Sequence, residues 1–329
     1  FSTSTSSISS TLLDTSLFSL TLLFSSDIVS STGSPKVQPI HATDNTMVTI
    51  KNEHLTAKIN ELGAELKSLV CNDTEYIWEG RSEVWAGSCP LLFPICGGLK
   101  NDKYVLNGKE YTLEKHGYAR FKTFHIENKT DTSIVFLHKS DDETKKQFPF
   151  DYELRIFYTL ENKTLKVDYS VKNLSDDTMY FNIGSHEGYY TPEGIEDYDI
   201  IFPQKETLNS YVLYGNLLSN QQLPIIKDQN YLPLYDKYFT VDALVFKDLK
   251  SKSATLRNRK TGKAVKVDFL DDKYFLLWHK PNSPYICLEP WDGIQDIVDS
   301  SYDITKKEGI TSLNAKSEYN HTHSITILE

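Results

Sequence analysis

Apolar and polar residues alternate with a period of two along most of the chain after Met47. Segment 54–59 places leucine, alanine and isoleucine on one face, a pattern that predicts a strand with one buried face. Segments 152–158 and 165–171 alternate in the same way on either side of Asn162-Lys163. Together they predict a long antiparallel hairpin.

Turn residues separate these strands at short intervals. Asn107-Gly108 lies between segments 104–106 and 110–113, and Asn-Gly accepts the positive φ angles of a tight hairpin turn. Thr261-Gly262 predicts a second turn, and no long amphipathic helix is evident. Segment 210–220 is at best a short helix or a loop. Short strands without a sequence repeat predict an all-β fold, a large antiparallel β-sandwich rather than a propeller.

Residues 1–46 differ from the rest in composition. They are rich in Ser and Thr, lack Glu and Arg, and carry one lysine, Lys36. Such a segment buries too little apolar surface to offset its ordering entropy, which predicts a disordered leader. The apolar patch at 17–24 is too short to span a bilayer and has no basic region ahead of it. Residues 47–329 are expected to form one domain.

Charge and cysteines narrow the function classes. The net charge of −10 over 329 residues argues against nucleic-acid or anionic-membrane binding, because both favour a basic face. The four cysteines form no CxxC pair and have no histidine at zinc-ligand spacing. This usage is typical of a reducing compartment and predicts a cytoplasmic protein.

The stretch 287–293 breaks the alternating pattern with a carboxylate. Glu289 follows an apolar run and precedes Pro290 and Trp291, and proline is expected to end the strand there. A carboxylate beside an indole suits a sugar site, since it offers a base for a hydroxyl proton and a flat apolar face. The alternative is a structural Glu that caps a loop amide.

Two other stretches combine histidine with glycine. His116 lies in 115–120 and His186 in 182–189, and histidine is the side chain best suited to exchanging protons near neutral pH. The alternative is local hydrogen bonding. A metal site made of both histidines and Glu289 ranks below acid–base chemistry, because no two ligands are close in sequence.

Four motifs in order resemble those of the aldose 1-epimerases, or galactose mutarotases. They are LFPICG at 92–97, HGYAR at 116–120, GSHEGY at 184–189 and LEPWDG at 288–293. The likeness is greatest to the LacX-like branch and extends from about Met47 to the C-terminus. It implies the galactose mutarotase-like supersandwich, with an open cleft on one face.

The resemblance also implies roles. Glu289 matches the general base, His186 the general acid, and His116 the second active-site histidine, which positions the sugar and is a candidate to share the acid role. Asp242 matches an acidic residue that binds sugar hydroxyls. The implied reaction interconverts α and β anomers by proton transfers that open and close the ring, and it requires no cofactor or metal. Candidates for the apolar wall of the sugar site are Trp278, Trp291, Phe93 and Tyr189.

The sequence departs from the family pattern at two positions. Gly98 stands where an arginine usually binds sugar hydroxyls, and Glu187 stands where proline usually follows the histidine. Losing a bidentate donor is expected to retune sugar binding, and Arg120 or Lys100 are candidates to compensate. Glu187 would raise the pKa of His186 if its side chain pointed inward.

The expected function is therefore that of an isomerase, an aldose 1-epimerase acting on a free hexose such as galactose or glucose. Alternatives are a hexose-6-phosphate 1-epimerase and a non-catalytic sugar-binding or sensing protein on the same fold. A glycosidase or lyase would need a second carboxylate about 5–10 Å from Glu289. The expected partner is a monosaccharide, with no nucleic acid or membrane, and the protein is expected to be a monomer or homodimer.

Overall fold

The computed structural model describes residues 47–329, and these belong to one compact unit. The predicted leader at 1–46 lies outside the described residues and stays a prediction. Nearly all regular structure in 47–329 is β-strand, as the alternating pattern predicts. Within this range no helix combines the length and apolar character that crossing a bilayer would require.

The strands and helices are named in chain order. The strands are β1 (Met47–Lys51), β2 (Leu55–Asn60), β3 (Glu65–Cys71), β4 (Thr74–Glu75), β5 (Lys103–Leu106), β6 (Lys109–Thr112), β7 (His125–Lys129), β8 (Ser133–Lys139), β9 (Tyr152–Glu161), β10 (Thr164–Asn173), β11 (Met179–Phe181), β12 (Glu187–Tyr190), β13 (Tyr198–Tyr214), β14 (Leu217–Pro233), β15 (Leu244–Lys247), β16 (Ser253–Asn258), β17 (Ala264–Asp268), β18 (Tyr274–Trp278), β19 (Tyr285–Trp291), β20 (Thr311–Leu313) and β21 (Glu318–Leu328). The one α-helix of the described residues is α1 (Asp142–Gln147), and short 3₁₀ turns lie at Lys100–Asp102, Ala119–Phe121, Ile195–Asp197, Asp236–Phe239 and Ile304–Lys306.

The large antiparallel sheet has nine strands in the order β14-β13-β16-β17-β21-β10-β9-β8-β7. A four-stranded sheet, β12-β19-β18-β15, carries the Glu289 stretch, and β1-β2-β3-β4 form a second four-stranded sheet. The main core joins inward-facing residues of all three sheets, such as Leu55, Val167 and Leu288. Two sheets packed through such a core are a β-sandwich, which confirms the predicted fold class.

The predicted hairpins at Asn107-Gly108 and Asn162-Lys163 are confirmed. They join β5 to β6 and β9 to β10, and Asn107, Gly108 and Asn162 have φ angles of +51°, +78° and +53°. The interpretation of 210–220 as a short helix or loop is wrong. This segment is the end of the long hairpin formed by β13 and β14.

Pro290 does not end its strand, contrary to the expectation. β19 continues to Trp291, and Pro290 stands opposite Phe275 of β18. On the other side, the carbonyl of Pro290 accepts the Ser185 N–H at 3.3 Å. Proline cannot return that hydrogen bond, and the indole N–H of Trp291 donates to the Ser185 carbonyl at 2.9 Å instead. The side chain replaces the missing backbone donor, so the strand tolerates proline.

Candidate active site

Backbone hydrogen bonds bring the four sequence motifs side by side. The Leu92 and Gly184 backbones exchange two hydrogen bonds, of 3.0 and 3.1 Å. The Asp292 N–H donates to the Ile183 carbonyl at 3.1 Å, which joins the 288–293 motif to this pair. The N–H of Tyr118 donates to the Phe93 carbonyl at 3.1 Å. Four stretches separated by up to about two hundred residues therefore lie side by side next to β12 and β19.

Glu289 and His186 form a buried pair where these stretches meet. The alternation of β19 directs Ile286 and Leu288 into the main core and leaves Cys287 and Glu289 on the opposite face. His186 immediately precedes β12, and its Nε2 lies 3.5 Å from the Glu289 Oε2. Glu289 is 1% exposed and His186 9%. No hydrogen bond to Glu289 Oε2 or His186 Nδ1 comes from the described residues.

Burial shifts the two pKa values in opposite directions. It raises the pKa of Glu289 well above its usual range, opposed by the positive charge of Lys115 and reinforced by Glu187 and Asp242. Burial also lowers the pKa of His186 to about 3, and the charges of Lys115 and Arg120 add to this effect. Without a ligand the pair thus favours a protonated carboxyl beside a neutral imidazole.

His116 is held by the backbone of Gly97 through two hydrogen bonds. The backbone N–H of His116 donates to the Gly97 carbonyl at 2.8 Å, and the ring Nδ1 accepts the Gly97 N–H at 3.1 Å. The ring lies edge-on to His186, with centroids 5.5 Å apart. Burial, then the charges of His186, Lys115 and Arg120, keep the pKa of His116 well below its usual range.

Tryptophans surround the histidines. The half-buried Trp278 packs edge-on against His186, with centroids 5.6 Å apart. Trp85, which sequence reasoning missed, lies 5.2 Å from the same ring. Trp85 belongs to no alternating segment, so its nearness to glycines was the only available signal. Trp291 is 2% exposed and packs against His116 at 5.6 Å, so it supports that ring rather than lining an open wall.

Two predicted wall residues lie elsewhere, and these predictions are corrected. Phe93 and Tyr189 are fully buried in the main core. The Phe93 ring packs against Tyr152 and Phe181. Tyr189 stands opposite Ile286, on the core side of the sheet, and lines a separate cavity of about 190 Å³. Their backbones help to position the site, but their rings face away from Glu289.

The predicted polar candidates Asp242, Arg120 and Lys100 differ in their contacts. The half-buried Asp242 accepts the Ala243 N–H at 2.7 Å, and its charge acts on Glu289. The guanidinium of Arg120 donates to the Lys115 carbonyl at 2.9 Å. The backbone N–H of Lys100 donates to Asp296 at 3.2 Å, which places Lys100 beside the 294–297 loop. Lys115, which sequence reasoning did not single out, is the cation with the largest effect on the pKa of Glu289.

Two carboxylates next to the pair in sequence, Glu187 beside His186 and Asp292 beside Glu289, already have partners. Glu187 points away from the pair and accepts from His323 at 2.7 Å, so the condition under which it would raise the pKa of His186 is not met. Asp292 accepts from the Ile183 N–H, Thr311 and Tyr319 at 2.9, 3.1 and 2.9 Å. These hydrogen bonds orient both carboxylates toward other parts of the fold, which disfavours either as the second carboxylate of a glycosidase.

Gly98 faces the tip of the β13–β14 hairpin. A Cβ atom added at Gly98 would lie 2.7 Å from the Cβ of Asn216. The hairpin is fastened nearby, because the Leu218 N–H donates to the Asp296 carbonyl at 2.8 Å. An arginine at position 98 would require this hairpin to move.

A possible set of metal ligands in the described chain differs from the one considered above. Ligand atoms of His186, Cys287 and Glu289 all lie within 4.8 Å of one another. His116 is not part of this group, and its Nδ1 lone pair is taken by Gly97.

Several known proteins are similar to this chain in sequence and structure. The family model described as aldose 1-epimerase matches residues 46–326. A LacX protein of Lactococcus lactis is 34% identical over 296 residues, 85% of this chain and 99% of its own. A structure of a galactose mutarotase related enzyme from Lactobacillus acidophilus is 35% identical, with a TM-score of 0.82, covering 86% and 97% of the two chains.

A galactose mutarotase-like protein from Lactobacillus casei is similar too. It is 30% identical, with a TM-score of 0.81, and covers 86% of this chain and all of its own. A galactose 1-epimerase from Lactobacillus acidophilus is only 13% identical at a TM-score of 0.66, over 88% and 97% of the two chains, and shares the fold. The chain belongs to the aldose 1-epimerase family, in its LacX-like branch.

Proposed function

We propose that this protein is an aldose 1-epimerase that interconverts the α and β anomers of a free hexose such as galactose or glucose. The observation that carries the proposal is the buried pair of His186 Nε2 and Glu289 Oε2 at 3.5 Å. The pair places an acid and a base next to each other in one site. Half-buried tryptophans border this site and offer an aromatic face to the apolar side of a pyranose.

Glu289, as carboxylate, removes the proton of the C1 hydroxyl while protonated His186 donates a proton to the ring oxygen. The C1–O5 bond breaks and leaves the open aldehyde, with a protonated Glu289 and a neutral His186. Rotation about C1–C2 followed by the reverse transfers yields the other anomer. Each positioned transfer typically contributes about 10²–10⁴ in rate.

Burial assists these transfers. It raises the pKa of Glu289 and lowers that of His186, so ring opening moves both protons in the direction that the site favours. The His186–Glu289 pair carries one proton, which lies on Glu289 in the form without a ligand. In the reactive form the same proton lies on His186. The positive charge of Lys115 and the hydroxyl donors of a bound sugar stabilise the carboxylate of that form.

His116 serves as a fixed donor. A backbone N–H can only donate, so Nδ1 must accept and the proton of the neutral ring is on Nε2. Nε2–H is then available to a sugar oxygen next to His186. Asp242 and Trp278 are the proposed contacts for hydroxyls and for the apolar ring face, with Trp85 added to them.

The test is polarimetry, or proton NMR of the anomeric signals, on freshly dissolved α-D-galactose and α-D-glucose with wild type and Glu289→Gln. Faster equilibration by wild type alone supports both the reaction and the base. Sugar binding without faster equilibration would instead support the non-catalytic alternative.

A phosphorylated hexose is the second candidate substrate. After burial, the charges of Lys115 and Arg120 lower the pKa of His186, so two cations act on the site and would favour an anion. Hexose 6-phosphates are therefore the second set of substrates in the same assay. We further propose a cytoplasmic location, since Cys71, Cys89, Cys96 and Cys287 are free and buried.

A further inference from the structure

One face of β19 presents a thiol beside the proposed acid and base. Cys287 and Glu289 are two positions apart on the strand and therefore point to the same side. The sulfur of Cys287, a ring nitrogen of His186 and a carboxylate oxygen of Glu289 lie within 4.8 Å of one another. The acid–base mechanism gives no role to the thiol.

The cluster has unused ligand atoms in a buried setting. Within residues 47–329, His186 Nδ1 and Glu289 Oε2 are buried and have no hydrogen-bond partner. His186, Cys287 and Glu289 are each at least nine-tenths buried. Buried polar atoms normally have partners, so the unpartnered Glu289 Oε2 points to a ligand that accepts its lone pair, and His186 Nε2 lies 3.5 Å from that oxygen as a second donor to the same ligand.

The donor set selects the type of ion. Sulfur and imidazole ligands suit Zn²⁺ and similar thiophilic cations, whereas Ca²⁺ and Mg²⁺ favour six or more oxygens. Tetrahedral Zn²⁺ with bonds of about 2.0–2.3 Å separates its ligands by about 3.3–3.5 Å. The distance of 3.5 Å between His186 Nε2 and Glu289 Oε2 already matches, and Cys287 would have to approach by no more than about 1.5 Å.

We propose that His186, Cys287 and Glu289 form a site for Zn²⁺ or a similar thiophilic divalent cation, and that the bound ion inhibits the enzyme. Coordination releases two protons to solvent, the thiol proton of Cys287 and the proton held by the His186–Glu289 pair, and leaves one position open to water. The ion engages the lone pairs of the acid and the base, so neither can exchange a proton with a sugar. The inhibitory part rests on the proposed function, whereas the binding part does not.

Binding is tested on the full chain with Co²⁺ as a spectroscopic probe, after chelator treatment and dialysis. A cobalt–thiolate bond gives a charge-transfer band in the near ultraviolet. Wild type should develop this band with one ion per chain and lose it when Zn²⁺ is added. Cys287→Ser should lack the band and bind Zn²⁺ about 100-fold more weakly or worse.

Cys71→Ser is the matched control, because Cys71 is equally buried but contacts Glu329 at another place in the fold. It should keep the band. If it loses the band as Cys287→Ser does, or if Cys287→Ser keeps it, the site is wrong. Thermal unfolding checks that the variants fold, and Cys287→Ala replaces the serine variant if serine is not tolerated.

Inhibition is measured against each variant's own metal-free rate. Zn²⁺ should slow anomer equilibration by wild type and Cys71→Ser by at least tenfold, and Cys287→Ser should need about 100-fold more Zn²⁺ for the same effect. A cobalt band without inhibition would overturn the inhibitory role. If no substrate is turned over, the band still decides whether the ion binds, so failure of the proposed function is distinguished from failure of the site.

Discussion

The Nδ1 atom of His116 accepts the backbone N–H of Gly97 at 3.1 Å, and this contact fixes which nitrogen of the ring carries the proton. A second proton on Nδ1 would break the hydrogen bond and place two donors against each other. Burial also lowers the pKa of this ring. His116 is thereby restricted to a neutral donor, and in the proposed mechanism His186 is the residue that gains and loses a proton.

Replacing His116 should reduce catalysis with little loss of stability. His116 has a φ angle of +67°, which asparagine tolerates better than most residues. For His116→Asn we expect kcat/KM to fall about 10–100-fold, as for loss of one or two hydrogen bonds near the reacting atoms. Polarimetry and a thermal unfolding curve measure both effects. His125→Asn, at an exposed histidine of β7, is the control and should keep full activity.

Replacing Glu289 should lower the activity and raise the stability of the protein. For Glu289→Gln we expect the rate to fall about 10²–10⁴-fold. The buried carboxyl has a raised pKa in the folded state, so the folded state binds its proton more tightly than the unfolded chain, where the Glu pKa is about 4.3. The free energy of unfolding of wild type therefore falls as pH rises above that value, through the folded-state pKa.

Glutamine cannot ionise and lacks this decline. Glu289→Gln should unfold at a temperature higher than wild type by about 2 °C or more at neutral and alkaline pH. The difference should disappear below a pH of about 4. Calorimetry across this range measures it, and a variant that is less stable than wild type at alkaline pH would contradict the burial argument.

The pH profile of kcat/KM should be broad, and its acid limb should lie at a lower pH than an ordinary histidine would give. The active pair holds one proton, and a second must enter neutral His186, whose pKa is held at about 3 by burial and by nearby charge. Activity should therefore persist well below the ordinary histidine pKa of about 6.5. On the alkaline side, activity ends when the pair loses its only proton, above the usual Glu range because burial raises the pKa of Glu289.

Lys115→Gln gives the matched test of this profile. The charge of Lys115 lowers the pKa of both Glu289 and His186, so its removal should move both limbs to higher pH. The limbs belong to the pair rather than to either residue. An acid limb that stays near a pH of 6.5 in wild type would show that burial does not control the pair.

The sequence predicted the hairpins and the meeting of the four motifs better than the side of the sheet on which each aromatic lies. Asn-Gly and Asn-Lys turns act locally, so their strands could be assigned from neighbouring residues. Which aromatic faces the cleft depends on sheet register, and a shift of one position exchanges the faces. Phe93 and Tyr189 were therefore assigned to the wrong side. Trp278 does lie against His186, and its place in a sugar wall stays a prediction.

The strand that carries Glu289 shows a second limit. Proline usually excludes a central strand, and no local pattern reveals that Trp291 supplies the missing donor to Ser185. This replacement depends on a residue a hundred positions away. In the same way, Cys287 resembled a plain core residue until the fold placed it beside His186.

Glu187 should matter for stability through a partner in the last strand. It accepts from His323 at 2.7 Å, and both side chains are buried. Glu187→Ala leaves the histidine without that partner and should cost about 3–5 kcal/mol. Glu187→Gln keeps a hydrogen-bonding group and should cost less. Chemical denaturation of both variants provides the comparison, and equal losses would mean that the contact with His323 contributes little.

Gly98 is expected to be coupled to the hairpin tip that covers it. Gly98→Ala places a Cβ 2.7 Å from the Cβ of Asn216, and the backbone bond from Leu218 to Asp296 resists movement of the tip. We expect a loss of about 1–3 kcal/mol in the free energy of unfolding. Asn216→Gly removes the opposing Cβ and should itself cost less than about 1 kcal/mol.

A double-mutant cycle separates this contact from general effects of the substitutions. Gly98→Ala with Asn216→Gly should recover at least about 1 kcal/mol relative to the sum of the single changes. Asn220→Gly, at an exposed position on the same hairpin, is the control and should recover nothing. Additive losses in the first pair would mean that the hairpin moves aside freely. In that case the glycine is not needed to seat the hairpin, and a larger side chain at position 98 could reach the site.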